Sequence, residues 1–315
     1  MSRKPLVVAA LACAALPLAA CGTADSPSAS SGGKPSVTVT HAQGTTSLPA
    51  APDRVVVLDL AVLDTLDSLG LGNTVVGLPK GNLPDFQSGF KADTYAAVGT
   101  FFEPDVEKIA ELDPDVILIG GRSAKAYPEL AKIAPTVDLT MSGPDALKDV
   151  RNQSEQIGEI FGKQQAVADK LADLESKVAD VKAKAANAAP ALVLMTSGGK
   201  VSAFGAGSRF GLIHDSLGVP TAVPDLKQDA HGQAVSFEFI AKKDPAQLFV
   251  IDRDAAIGQQ GTPAAKVLDN PLVTGTAAWQ DGKVTYLDGA RWYILGGGLG
   301  NTAQMVDAVG AALTT

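Results

Sequence analysis

The sequence predicts an α/β fold in which two similar lobes, each with a mostly parallel sheet, are joined by one long backbone helix. Short apolar runs alternate with helix-patterned segments along the chain, as in α/β domains. A 16-residue unit occurs twice, 131 positions apart, and a stretch of 25 residues without Gly or Pro separates the two copies. The 315 residues, 46% of them hydrophobic, provide enough apolar material for two cores.

The N-terminal segment has the pattern of a secretory signal. Arg3 and Lys4 precede a short, alanine-rich apolar run that ends at Cys21. The sequence LAAC at this point resembles the bacterial lipobox, which predicts residues 1–21 as a signal peptide and Cys21 as the lipidated anchor. A plain signal peptide with an incidental cysteine is the alternative. The Ser/Gly/Pro-rich residues 22–35 are predicted to be a flexible tether to the cell membrane, outside the cytoplasm.

Charge and cysteine content restrict the partners. The net charge is −8, and loss of Arg3 and Lys4 would make it −10. An acidic chain without a basic run does not favour a nucleic-acid partner. Cys13 lies inside the predicted signal, so a mature chain beginning at Cys21 would form no disulfide and would depend on its cores.

The first lobe, residues 36–160, begins with a predicted hairpin over Ser36–Leu48. A buried strand at Val55–Leu58 is followed by a helical pattern that ends near Gly70, and then by a short strand at Thr74–Gly77. The repeated unit comes next as EKIAELDPDVILIGGR, residues 107–122.

Each copy of the repeated unit predicts a short helix, a proline break and a buried strand. Arg122 and Arg253 directly follow their strands, at the carboxyl ends where α/β sheets bind ligands. Glu107 and Glu238 lie at the other ends of the two copies. We therefore expect the arginines to face a cleft and the glutamates to lie elsewhere, where they could contact a second partner.

The segment between the copies is predicted to be a single linking helix, with domain bounds of 161–189. Apolar residues recur at helical spacing through Gln164–Ala188, which predicts 25–30 residues and a length of roughly 40 Å. A coiled-coil segment is the alternative. The second lobe, residues 190–315, ends in a helix predicted at Thr302–Leu313. The glycines of Gly296–Gly300 before it indicate a tight approach into that helix, with phosphate binding as the alternative.

Enzyme signatures are absent from the sequence: it has no G-x-S-x-G, H-E-x-x-H, C-x-x-C or Walker A run. The histidines are His41, His214 and His231, too few and too scattered to predict a metal site built by the protein alone. His214 lies in a helical pattern and is predicted to be a helix-surface or capped residue.

Arginine is scarce and concentrated at loop positions. Against 19 lysines there are seven arginines, and four of them follow strands or adjoin glycines: Arg122, Arg209, Arg253 and Arg291. The planar guanidinium suits oxyanions, so a cleft that gathers these residues could bind an anion despite the net charge. For each of them alone, a structural salt bridge is the alternative.

Several motifs together resemble one known family. They include RVVVLDLAVLDTLDSLG, EPDVEKIAELDPDVILIGGRSAKAY, SAFGAGSRFGLIHDSLG, HGQAVSFEFI and YLDGARWYILGGGLG. From about Val37 to the C-terminus, the chain resembles the substrate-binding lipoproteins of bacterial iron–siderophore ABC importers, and among these the binders of ferric catecholates. The resemblance implies the class III periplasmic-binding-protein fold, no enzymatic activity and no intrinsic cofactor.

The resemblance also implies the site residues. Arg122, Arg209 and Arg253 would form a cationic trio facing catecholate oxygens. His231 and Tyr293 would donate to Fe(III) where the siderophore leaves coordination positions open, a donor set suited to this hard ion.

The neighbouring Trp292 would line the cleft or pack beneath it, and the GARWY variant leaves the alignment of Trp292 and Tyr293 open. Glu107 and Glu238 would dock onto the permease dimer of the importer. A monomeric carrier is expected.

Three other functions stay open. The first is binding of another chelate on the same fold, namely a hydroxamate siderophore, haem or a corrinoid. The trio argues against a neutral hydroxamate complex, and the few Met and aromatic residues argue against haem. The second is an exported hydrolase that uses His231 with Asp215 or Asp252. The third is a carrier of free metal ions.

Overall fold

The computed structural model describes residues 35–81, 83–143, 145–226 and 231–314. They form two α/β lobes, which confirms the predicted fold class. The predicted signal, Cys21 and all but the last residue of the predicted tether lie outside the described residues. The lobe boundaries at 160 and 190 stay a prediction.

The N-terminal lobe contains a parallel sheet with the strand order β5-β4-β3-β6-β7, preceded by an antiparallel hairpin of β1 and β2. Its strands are β1 Ser36–His41, β2 Gly44–Pro49, β3 Val55–Leu58, β4 Val75–Leu78, β5 Ala96–Ala97, β6 Val116–Ile119 and β7 Thr136–Asp138.

The C-terminal lobe contains a mixed sheet with the order β10-β9-β8-β11-β12, in which only β9 runs against its neighbours. Its strands are β8 Ala191–Ser197, β9 Lys200–Phe204, β10 Gln233–Val235, β11 Gln247–Asp252 and β12 Val284–Leu287.

Helices cover the sheets and connect the lobes. They are α1 Leu60–Ser68, α2 Val106–Glu111, α3 Tyr127–Leu130, α4 Ala146–Phe161, α5 Gln164–Ala185, α6 Phe237–Lys243, α7 Arg253–Ala256, α8 Ala264–Val267, α9 Pro271–Thr274, α10 Ala277–Gln280 and α11 Leu299–Ala312. Within the described part of the chain, no helix combines the length and apolarity needed to cross a membrane.

The two copies of the repeated unit have the same backbone geometry. Asp105 caps α2 by accepting from the amide of Lys108, and Ser236, 131 positions later, caps α6 by accepting from the amide of Phe239. Asp113 and Asp244 follow these helices with φ of 44° and 42°, the left-handed conformation in which a helix commonly ends. The sequence repeat is therefore a structural repeat, one copy per lobe.

The linking helix is shorter than predicted. α5 has 22 residues, or roughly 33 Å, and ends at Ala185 rather than near Ala188. It follows α4 after a turn at Gly162, which takes φ of 63°. The buried side chains of α5 recur at helical spacing and pack into the main core, so its apolar face is shared with the lobes.

One continuous apolar core unites the lobes. It includes Val55 and Val57 from the first sheet, Phe249 and Ile251 from the second, and the inner faces of α1, α4, α5 and α11. The outer face of each sheet has a separate, smaller core. The lobes are thus held together by direct packing as well as by the linking helix.

The glycine-rich segment makes the predicted tight approach, although α11 begins three residues earlier than expected, at Leu299. Gly298 has φ of 87°, and a Cβ there would lie 2.6 Å from Asp64 Oδ2 and 2.7 Å from the Ala61 carbonyl oxygen. Asp64 accepts from the amide of Asn301 at 2.8 Å, so α1 of one lobe caps α11 of the other.

Candidate functional site

The candidate site lies at the carboxyl edges of the sheets. Because α2 follows β5 and runs back before β6, its first turn lies at the same edge as the residue that follows β6. Arg122 and Glu107 therefore share one edge, as do Arg253 and Glu238 in the second lobe. The expectation that acid and base lie at opposite ends holds along the chain but not in space, since the chain reverses between them.

Arg122 reaches across to the second lobe. Its Nη1 donates to the carbonyl of Ile294 at 2.8 Å, and its Nη2 donates to the carbonyl of Tyr293 at 3.3 Å. Both acceptors lie in a π-helical segment, Ala290–Leu295, which follows β12. The contact places the guanidinium of the first lobe directly against the residue predicted to bind iron.

The other two predicted arginines meet the same tyrosine. Arg209, in the bend after β9, donates from Nη2 to the Tyr293 carbonyl at 3.1 Å, with its guanidinium 4.4 Å from the centre of the phenol ring. Arg253, the first residue of α7, donates from Nε to the Tyr293 hydroxyl at 2.9 Å. The structure thus brings the whole predicted trio together around Tyr293.

Carboxylates balance part of this charge. Asp254 is 5% exposed and lies 3.5 Å from Arg253 Nη1. Asp59, the cap of α1, interacts electrostatically with Arg122, although burial still raises the pKa of Asp59 above its usual value. Arg209 has no carboxylate within 4 Å among the described residues.

The pKa of Arg209 is lowered from its usual value, chiefly because surrounding protein displaces water. Tyr293 opposes this shift, and the positive charges of Arg122 and Arg253 add to it. Since arginine is so basic, the guanidinium stays charged at neutral pH. The cluster therefore gathers three cations beside one phenol, an arrangement that attracts an anion.

Trp292 and His231 differ in their relation to this cluster. Trp292 is 1% exposed and packs in the main core, and its position relative to a ligand stays a prediction. His231 is exposed and precedes β10, and none of the hydrogen bonds that join the arginines to Tyr293 includes it. Its participation also stays a prediction.

Two other residues that the sequence analysis named, His214 and Arg291, lie outside the cluster. His214 is buried, so the helix-surface alternative was wrong, and its Nδ1 lies 2.8 Å from the Val219 carbonyl oxygen. Arg291 contacts Asn301 at 3.2 Å and stacks 3.9 Å from the centre of the Phe86 ring, outside the trio.

Sequence reasoning missed two residues of the cluster. Ser197 accepts a hydrogen bond from Arg253 Nη1 at 3.3 Å, and Asp254 lies behind both. Asp254 directly follows a predicted ligand residue, which could have drawn attention to it. Ser197 is brought in by the β8–β9 turn and carried no local signal.

A cavity lies beside the cluster, but the described residues form no metal site of their own. A cavity of about 250 Å³ adjoins Arg209 and Trp292 and is lined from the first lobe by Met141 and Asp149. The described residues contain no group of three or more His, Cys, Asp or Glu side chains placed to hold a metal ion.

Comparison with known proteins matches the predicted family. The family model described as periplasmic binding protein matches residues 55–290. The petrobactin-binding protein YclQ of Bacillus subtilis is 44% identical over 98% of each chain. Its crystal structure has a TM-score of 0.86 at 45% identity and covers 90% of this chain and 100% of that one.

Two further relatives also match this chain over most of its length. The ferric-anguibactin-binding protein FatB of Vibrio anguillarum is 34% identical over 87% of this chain and 86% of its own length. The crystal structure of the periplasmic catecholate-siderophore binding protein VctP from Vibrio cholerae has a TM-score of 0.81 at 35% identity, covering 88% of this chain and 100% of that one.

Proposed function

Since this chain belongs to the periplasmic binding protein family, a solute-binding class, we propose that it captures a ferric catecholate-type siderophore and delivers it to an ABC importer. The observation that carries the proposal is the convergence of Arg122, Arg209 and Arg253 on Tyr293. Catecholate oxygens bound to Fe(III) leave a negatively charged complex, and guanidinium groups donate to such oxygens with favourable charge and geometry.

The relatives support the same ligand class. One is named for petrobactin, one for ferric anguibactin, and one is described as a catecholate-siderophore binder. A neutral ferric hydroxamate would leave the positive charge that the carboxylates do not balance without a partner, so we place hydroxamates behind catecholates.

Two side chains are proposed as iron donors when the siderophore leaves positions open. Tyr293 is half-buried at the centre of the trio, and its hydroxyl already accepts a hydrogen bond from Arg253. Phenolate oxygen is a hard donor, which suits the hard ion Fe(III). His231 is the second proposed donor, through the loop before β10.

Delivery is proposed to use Glu107 and Glu238. Both are exposed, both lie in the first turn of their helices, and they occupy equivalent positions in the two lobes. A permease dimer with two equivalent basic sites would fit this arrangement. We further propose that the protein works outside the cytoplasm, anchored to the cell membrane through a lipidated Cys21.

The experiment is a fluorescence titration with a ferric bis-catecholate and, in parallel, a ferric trihydroxamate. The chain has two tryptophans, so Trp279→Phe leaves Trp292, directly beside Tyr293, as the reporter. Strong quenching by the catecholate at submicromolar concentration, with none by the hydroxamate, is the expected result. Preference for the hydroxamate would overturn the ligand assignment.

Iron ligation is tested separately with the same complex. Tyr293→Phe should abolish any phenolate-to-iron charge-transfer absorption, and His231→Ala should weaken binding of the bis-catecholate more than that of a ferric tris-catecholate. Because a tris-catecholate fills every coordination position, it controls for losses unrelated to ligation. Equal losses for both complexes would argue against His231 as a donor.

A further inference from the structure

Asp254 forms a buried contact behind the cluster that the family resemblance does not assign. Its side chain accepts from the amide of Gly198 at 2.6 Å through Oδ2. Its other oxygen, Oδ1, lies 3.3 Å from Ser197 Oγ and 3.5 Å from Arg253 Nη1. A carboxylate with this little exposure has to be paired and hydrogen-bonded, and Asp254 satisfies both conditions.

The turn between β8 and β9 delivers the partners of Asp254. Gly198 and Gly199 take φ of 56° and 72°, as the two central residues of a tight hairpin turn require. Ser197, just before the turn, accepts from Arg253 Nη1 and donates to Asp254. The turn and the start of α7 are therefore joined through one serine and one carboxylate.

These contacts hold the side chain of Arg253 in place. Among the described residues, its hydrogen bonds use Nη1 toward Ser197 and Nε toward the Tyr293 hydroxyl, which leaves Nη2 for a ligand. A free arginine side chain loses rotamer entropy when it is fixed. Holding it before the ligand arrives removes that cost from binding.

Resting on the proposed function, we propose that Asp254, together with Ser197, is the positioning residue that holds Arg253 against Tyr293 for anion binding. The equivalent position in the first lobe is Ser123, which bonds backbone groups instead: it donates to Leu58 and accepts from Gly120. Asp254 and Ser197 therefore act in the second lobe, where they hold the arginine that contacts the Tyr293 hydroxyl.

Binding of a ferric bis-catecholate to the purified protein provides the first readout, as a double-mutant cycle. Asp254→Asn should lower affinity about 10-fold in the wild-type background and less than about 2-fold in an Arg253→Gln background, because the carboxylate acts through Arg253. The matched control is Asp244→Asn, which removes a carboxylate that accepts from the Ala277 amide at the opposite edge of the same sheet. It should leave affinity unchanged in both backgrounds.

Nuclear magnetic resonance relaxation of the arginine Nε–H groups provides a readout that needs no ligand. The Arg253 signal, assigned by its loss in Arg253→Gln, should be ordered in the wild type and in Asp244→Asn. It should become mobile in Asp254→Asn and Ser197→Ala.

An Arg253 signal as rigid in Asp254→Asn as in the wild type would overturn the assignment, whatever the affinities. So would an equal loss of affinity in both backgrounds, which would mean a general structural role for Asp254. If the wild type bound no catecholate while the Arg253 signal behaved as expected, the proposed function would fail and the positioning role would stand.

Discussion

The three arginines differ in how their charge is balanced, although they share one tyrosine. Arg253 faces the buried carboxylate of Asp254, and Arg122 interacts with that of Asp59. More than a third of Arg209 is exposed, and it contacts the carbonyl and ring of Tyr293 and the ring of Phe210. Removing Arg253 leaves a buried charge unpaired, which is costly, whereas removing Arg209 does not.

This difference predicts that two substitutions that both weaken binding differ in their effect on stability. Arg209→Gln and Arg253→Gln should each lower catecholate affinity about 10- to 100-fold, the range for a charge-assisted hydrogen bond. Arg253→Gln should also lower the Tm by a few degrees, and Arg209→Gln should leave it nearly unchanged. Thermal unfolding beside the binding titration checks this, and equal Tm values for the two variants would contradict it.

Individual site residues were predictable to different degrees. The repeat identified Arg122 and Arg253 because their positions follow from strand ends alone, and the cluster around Tyr293 places them together with Arg209. Asp254 was missed because its contacts come from a turn more than 50 residues away. The helix-surface alternative for His214 was wrong because a short helical pattern does not reveal which of its faces is covered by the rest of the fold.

At the scale of elements, hydrogen bonds between α1 and α11 connect the two lobes. Asp64 accepts from the amides of Asn301 and Gly300 at the first turn of α11, and Thr65 accepts from the amide of Leu299. The site is mostly buried, and this burial raises the pKa of Asp64 to about 6, with the two amides opposing the shift.

The raised pKa predicts how stability depends on pH. Because folded Asp64 binds its proton more tightly than the unfolded chain does, its contribution to the free energy of unfolding is full below about pH 4. That contribution falls as pH rises through about 6, by up to roughly 3 kcal/mol. Relative to Asp64→Asn, the wild type should therefore lose Tm between pH 4.5 and pH 7.

Thermal unfolding across this pH range measures the effect. Asp145→Asn replaces the exposed cap of α4 and keeps Asp64, so its profile should follow that of the wild type. Parallel profiles for the wild type and Asp64→Asn would show that the carboxylate between α1 and α11 does not titrate as stated.

Elements were predicted well where local periodicity and capping agree. The hairpin, β3, α1 and the two repeated units lie within a few residues of their expected bounds. The length of the linking helix was overestimated because alanine and lysine favour helix but do not mark where a helix ends. Residues Ala186–Ala188 lie beyond the end of α5 although their composition favours helix. The start of α11 at Leu299 depends on Asp64 in the other lobe, which local sequence does not show.

At the scale of the whole molecule, the ligand cluster and the proposed docking residues lie at the same edges of the two sheets. The chain reversal within each repeated unit places Glu107 beside the edge that carries Arg122, and Glu238 beside the edge that carries Arg253. A permease bound to both glutamates would therefore face the opening of the cleft. The core that the lobes share resists their wide separation.

This placement predicts that the two glutamates act in transport and not in binding. Glu107→Arg and Glu238→Arg should each reduce uptake of the ferric siderophore at least 5-fold in cells that carry the importer, because each places a positive charge against a basic site. Catecholate affinity should stay within 2-fold of the wild type, since both side chains point into solvent. Glu111→Arg, at the exposed far end of α2, is the matched control and should leave uptake unchanged. Similar losses for Glu107→Arg and Glu238→Arg would support two equivalent docking points, and uptake preserved in both would rule out docking through these residues.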